Sequence, residues 1–134
     1  VTSPEALHAA LVARLRTIAS LQVFEFQVPD KPAADGQGRV YPYAIVWPGA
    51  GTPGAESSIT GAAGERWAAT VNVAAGDPAW VLPATRLVRA TLSMVELAPG
   101  VTLTEVPLGA VITKDPDTTP LRWFLPTQWA ALTP

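Results

Sequence analysis

Side chains able to do chemistry are few in this sequence, and they are widely spaced. Histidine occurs once, at His8, and cysteine is absent. A zinc site needs three or four His, Cys or carboxylate ligands at short spacing, so no such site is expected. The absence of cysteine also excludes disulfides and thiolate nucleophiles. His8 falls near the start of a helical pattern and reads as a hydrated surface histidine. It is the one base available to a Ser/His/Asp triad, and no serine sits in a Gly-x-Ser-x-Gly elbow. Ser57 and Ser58 lie in a glycine-rich stretch that offers a nucleophile no rigid platform. Asp115 and Asp117 look like the start of a calcium loop, but the later oxygen ligands, glycine and glutamate are missing. They read as a polar hairpin turn. Glu96 and Glu105 are isolated carboxylates with no sequence reason for a shifted pKa. No catalytic, cofactor-binding or metal-ligating residue is predicted, and the chain is not expected to be an enzyme.

The longest irregular stretch runs from Gly49 to Gly64 and contains five glycines. It lacks the Gly-Lys-Ser/Thr ending of a phosphate cradle, and no helix follows it. A loop of this length in a compact domain tends to be functional or disordered. It reads as a docking or strand-extending loop. Gly49, Gly51, Thr52, Pro53, Glu56, Ser57, Ser58, Ile59 and Thr60 are its candidate contact residues.

The elements around this loop follow from periodicity and stop signals. Ser3-Pro4-Glu5 opens a helix: a cap, a first-turn proline and a carboxylate at the positive end. Leu7, Leu11, Leu15 and Ile18 form its apolar stripe, which predicts a helix to Ala19 or Ser20. Residues 21–28 alternate as a strand, with Phe24, Phe26 and Val28 on one face. Tyr41 to Trp47 is a second strand, and Pro42 must lie at its edge or start. Glu65 to Ala74 is a third, and three such strands in succession suggest antiparallel neighbours. Asp77-Pro78 caps a second helix, whose pattern reaches Leu97 and contains Pro83, with Pro99-Gly100 as its stop. Val101 to Val106 is a weak strand. Residues 108–113 and 121–129 suggest a closing hairpin, and 132–134 a tail. The predicted fold is one α+β domain over 1–134: a mainly antiparallel sheet with two amphipathic helices packed on one face.

Composition points away from nucleic acid and membrane. Net charge is −2, with two lysines and seven scattered arginines, so there is no polyanion grip. Arg14/Arg16 and Arg86/Arg89 read as solvated helix faces. No window is apolar enough to span a membrane, and the first residues lack a signal-peptide pattern, so a cytoplasmic product is expected. Charged residues make up 15% of the chain, against about 25% in a usual globular chain. A surface so short of charge implies apolar or small-residue area that is either exposed or covered by another subunit. Of the five tryptophans, Trp47, Trp67 and Trp123 read as core. Trp80 and Trp129, near element ends beside prolines, are the candidate interface aromatics.

The order of elements resembles the tail terminator (tail completion) proteins of long-tailed bacteriophages. The likeness rests on the capped helix from Ser3 and on the passage Trp67-Ala-Ala-Thr-Val-Asn-Val-Ala-Ala-Gly-Asp-Pro with Leu87-Val-Arg-Ala-Thr-Leu92 after it. It rests also on the ending Asp115-Pro-Asp-Thr-Thr-Pro-Leu-Arg-Trp-Phe124. The resemblance implies a subunit of a homohexameric ring that caps the tail tube, halts its polymerisation and joins the tail to the neck. It implies the tail tube protein and a neck or connector protein as partners, with a loop such as 49–64 touching the tube. DNA would pass the lumen without specific binding. The location implied is the tail–neck junction of the virion, and the host cytoplasm during assembly. Another neck component, a head-closure or head–tail joining protein, is the alternative. A small ligand-binding domain is the more distant one.

Overall fold

The computed structural model describes residues 3–50, 52–53, 65–118 and 121–133. Ser3 caps helix α1 (Pro4–Leu15), its hydroxyl oxygen accepting the Ala6 amide at 3.2 Å. The helix stops a turn earlier than its apolar stripe suggests. Thr17 donates its hydroxyl to the Arg14 carbonyl at 2.7 Å, and a tight turn still delivers Ile18 to the core.

Strand β1 (Gln22–Glu25) follows and is shorter than expected. Phe26 takes a left-handed φ of 63°, and the Gln27 amide donates to the Glu25 carbonyl across it at 2.6 Å. This three-residue turn ends the period-two pattern, so Phe26 does not continue the face of Phe24. Strand β2 (Tyr43–Pro48) pairs parallel with β1, Gln22 opposite Tyr43 and Glu25 opposite Val46. Consecutive antiparallel pairing was the expectation. Parallel neighbours need a crossover of a dozen or more residues, and 26–42 supplies one. Pro42 stands just before the strand, where its missing amide costs no ladder bond.

A short β3 (Thr52–Pro53) pairs with the start of β4 (Glu65–Ala75), so part of the predicted loop is strand. Helix α2 (Pro78–Leu92) begins where predicted: the Asp77 carboxylate accepts the Ala79 amide at 2.9 Å. Pro83 lies inside it and moves neither end. The helix does not reach Leu97. Met94 turns left-handed at φ 59°, and its amide donates to Leu103 at 2.9 Å. The chain then forms a two-stranded ribbon, β5 (Glu96–Ala98) and β6 (Val101–Thr102). Pro99-Gly100 is its turn, with Gly100 at φ 78°. Strand β7 (Thr104–Val106) lies on one edge of the main sheet. The closing hairpin is β8 (Thr113–Asp115) and β9 (Arg122–Thr133), joined by Thr113–Phe124 and Asp115–Arg122 pairs. Residues 108–112 are not strand, whereas β9 runs on to Thr133, into the stretch expected to be tail.

The main sheet has the order β1-β2-β4-β9-β7, with β3 beside β4 and β8 beside β9. All of its pairings except β1–β2 are antiparallel. Both helices cover one face. Leu7, Leu11 and Leu15 of α1 and Val81, Val88 and Leu92 of α2 pack with Val46, Trp67, Val71, Val73 and Trp129 of the sheet. Burying each such aliphatic side chain stabilises by roughly 1.5–3 kcal/mol relative to exposure. The opposite face holds a smaller cluster of Val40, Tyr43, Ile45 and Ala74 with Phe24 and Phe124. The fold is therefore α+β, with one covered and one largely open sheet face. Among the described residues, no helix is long and apolar enough to cross a membrane.

Candidate interaction surfaces

His8 is not a surface residue. It is 9% exposed, and Nε2 lies 2.8 Å from Oε1 of Glu25. Its position one residue after Leu7 carries it to the edge of the apolar stripe, and β1 closes over it. Phe26 packs beside the ring at 5.3 Å between centroids, and Trp47 meets Phe26 edge-on at 6.5 Å. The left-handed turn at Phe26 directs this ring outward: Phe26 is 55% and Trp47 46% exposed. Trp47 was expected in the core. It instead follows the alternation of β2, which sends Ala44 and Val46 to the helix side and Trp47 to the open side.

This aromatic pair stands at the root of the glycine-rich segment. Gly49 donates its amide to the Ala68 carbonyl at 2.7 Å. A Cβ on Gly49 would lie 2.7 Å from the same oxygen, so only glycine allows the approach. Pro4, His8, Phe26, Pro48 and Gly49 line a pocket of about 280 Å³ there. Of the other candidate contact residues, Thr52 and Pro53 form β3 against Arg66 and Glu65. Gly51, Glu56, Ser57, Ser58, Ile59 and Thr60 lie outside the described residues.

A second surface forms at the other end of β2. Residues 35–39 make a tight turn, and Asp35 accepts the amides of Gln37 and Arg39 at 2.9 and 2.8 Å. Its second oxygen takes Arg39 Nε at 2.8 Å. Burial opposes ionisation of Asp35. The Arg39 amide and guanidinium and the Gln37 amide outweigh it and hold the carboxyl below its ordinary range. Arg39 Nη1 reaches the helix-capping Asp77 at 3.1 Å, and its guanidinium lies 4.8 Å from the centre of the Trp80 ring. Tyr41 stacks on Trp80 at 6.1 Å. Tyr41, Pro42, Trp80, Pro83 and Leu87 line an apolar groove of about 340 Å³.

The two interface tryptophans named from sequence part company. Trp80 is half-buried and forms one wall of this groove. Trp129 is wholly buried, its indole donating to Thr127 Oγ1 at 2.9 Å, and so is withdrawn as a contact aromatic. It sits in mid-strand on the helix-covered face, because β9 extends past the end predicted for it. Asp115 and Asp117 make the expected turn, the Asp117 amide donating to Asp115 Oδ1 at 3.0 Å. No cluster of metal-ligating side chains occurs among the described residues.

No protein-family model matches this sequence, and no curated protein matches it significantly.

The sequence offered signals for part of this surface. Residues 33–38 read as a loop with two glycines, and Asp35 and Arg39, four residues apart around Gly36-Gln-Gly38, carry the signature of a turn within it. The stacking of Arg39 and Tyr41 on Trp80 had no such signal, since α2 brings Trp80 from far along the chain.

Proposed function

We propose that this domain is a structural subunit of a bacteriophage tail: the tail terminator, a ring that caps the tail tube, stops its growth and joins the tail to the neck. One observation carries the reading. Two different apolar surfaces, Phe26 with Trp47 and Tyr41 with Trp80 and Leu87, stand at opposite ends of β2. A closed ring is built from a heterologous contact, in which one patch of a subunit meets a different patch of the next. A two-fold dimer needs only one self-complementary patch. Aromatic side chains at half exposure are the type that dominates such contacts.

In this reading six copies close the ring. The segment rooted at Gly49 meets the tube protein, and another face meets the neck or connector protein. The pore passes DNA without gripping it, in keeping with a net charge of −2. The subunit assembles in the host cytoplasm and resides at the tail–neck junction of the virion. The phage resemblance comes from the order of elements, and the two-patch geometry supports the ring independently of it.

Native mass spectrometry of the purified domain, alone and with tube ends, tests the proposal. Hexameric rings are expected. Monomers under both conditions would overturn it. Rings found elsewhere in the neck would reassign the subunit to a connector.

A further inference from the structure

The open sheet face holds a further feature that shares only Trp47 with the two apolar patches. A pocket of about 340 Å³ lies over β2, β4 and β9, beside the β8–β9 turn. Ile45, Trp47 and Phe124 supply apolar lining, and Tyr43, Asn72 and Arg122 supply polar lining.

Arg122 is the unusual member. It is 8% exposed, yet it takes part in none of the ion pairs among the described residues. A guanidinium offers five N–H donors. The side chain makes one hydrogen bond there, from Nη1 to Tyr43 Oη at a long 3.3 Å, and its charge lies 5.7 Å from the centre of the Tyr43 ring. Among the described residues, Arg122 Nε is buried without an acceptor and Asn72 Oδ1 without a donor. Buried charge is costly without a counter-ion, and a single weak neutral acceptor does not replace one.

We propose that this pocket binds a carboxylate carried on a short apolar stem. Arg122 supplies the charge. The Tyr43 hydroxyl accepts from Arg122 and keeps its own proton to donate to the ligand. Ile45, Trp47 and Phe124 hold the stem. The size suits a ligand of about ten heavy atoms, at the small end of ligand pockets. A monoanion is preferred over a phosphate dianion, because Asp115 also lines the pocket. Asp115 stands opposite Arg122 along the β8–β9 ladder, but it forms none of the ion pairs among the described residues, so it does not act as the missing counter-ion. The same chemistry is offered by a free arylalkyl acid and by a glutamate side chain of a polypeptide. The inference does not depend on the ring.

Titration of the isotope-labelled domain with phenylacetate, and separately with a capped Ala-Glu-Ala peptide, tests it by NMR. The Arg122 Nε–H and Trp47 indole signals should move, with a Kd on the order of 1 mM, while the buried Trp67 indole stays. Arg122→Met should weaken binding about tenfold or more, and Tyr43→Phe by less. Asp115→Asn should tighten it several-fold by removing a like charge. Response to phenylacetate alone supports the site and assigns it to free acids. Response to the peptide alone supports it and assigns it to a polypeptide partner. No shift with either probe, or equal binding of benzyl alcohol, overturns the proposal. If Arg122→Met does not fold, unchanged affinity in both Tyr43→Phe and Asp115→Asn also overturns it.

Discussion

Nε2 of His8 lies 2.8 Å from Oε1 of Glu25, tying α1 to the last residue of β1. Arg16 stands 3.6 Å from the other carboxylate oxygen, so one exposed glutamate holds both ends of the contact between helix and edge strand. Glu25→Ala removes the acceptor and leaves Nε2 of a buried ring unsatisfied. The expected cost is about 1–2 kcal/mol, read from urea unfolding. A change under about 0.3 kcal/mol would show that water replaces the carboxylate without loss.

Asp77 serves two partners, the Ala79 amide at the start of α2 and Arg39. Asp77→Ala should destabilise by about 1–2 kcal/mol, since the cap alone is typically worth about 1. Asp77→Asn keeps a capping oxygen and loses the charge. Its cost should be less than half that of the alanine variant. Equal costs would place the whole effect on the ion pair.

Asp35 gives the stability a direction with pH. Its carboxyl is held below the ordinary range, so the folded state keeps it ionised where the unfolded chain has begun to take up a proton. That contribution is full above about pH 4, the ordinary aspartate value. It is lost as pH falls through the lower folded value. Wild type should therefore lose stability more steeply than Asp35→Asn below about pH 4, followed by urea midpoints at a series of pH values. Parallel curves would show that the Asp35 turn is not coupled to folding.

Gly76 packs against the chain before β2. Its amide donates to the Val40 carbonyl at 2.9 Å, and a Cβ there would lie 2.5 Å from the Val40 nitrogen and 2.9 Å from Arg39 Cα. These are backbone atoms and cannot rotate away. Gly76→Ala should cost about 1–3 kcal/mol and should loosen the Arg39–Trp80 stack, seen as a change in tryptophan fluorescence. Normal stability in this variant would mean that the 35–41 segment shifts freely.

The tryptophans separate folding from assembly. Trp129→Ala should cost about 3–5 kcal/mol, because it empties a fully enclosed site. Trp47→Ala, at 46% exposure, should cost less than about 1 kcal/mol in the monomer. It should nevertheless abolish ring formation, measured by native mass spectrometry. An intact ring in Trp47→Ala would remove the Phe26–Trp47 patch from the subunit contact.

By itself, the sequence determined the elements whose causes are local. Ser3 and Asp77 are caps because their oxygens meet amides two or three residues on, and Leu7, Leu11 and Leu15 share a face because helical geometry puts them there. The alternation through Trp67, Ala69, Val71 and Val73 was equally legible, and two helices on one face of a mainly antiparallel sheet followed from it. Element ends were less legible, since Phe26 and Met94 turn left-handed without the glycine that usually announces it. Only the tertiary structure decided that β1 and β2 run parallel, because nothing within 26–42 states where the chain returns. It also decided the sides and burial of single residues. His8 is sealed by a strand that follows it in the chain, and Trp129 is covered by helices from much earlier. Arg122 lies beside a tyrosine brought from a distant strand. Each of these depends on contacts between residues remote in sequence, and such contacts leave no periodic mark on the chain.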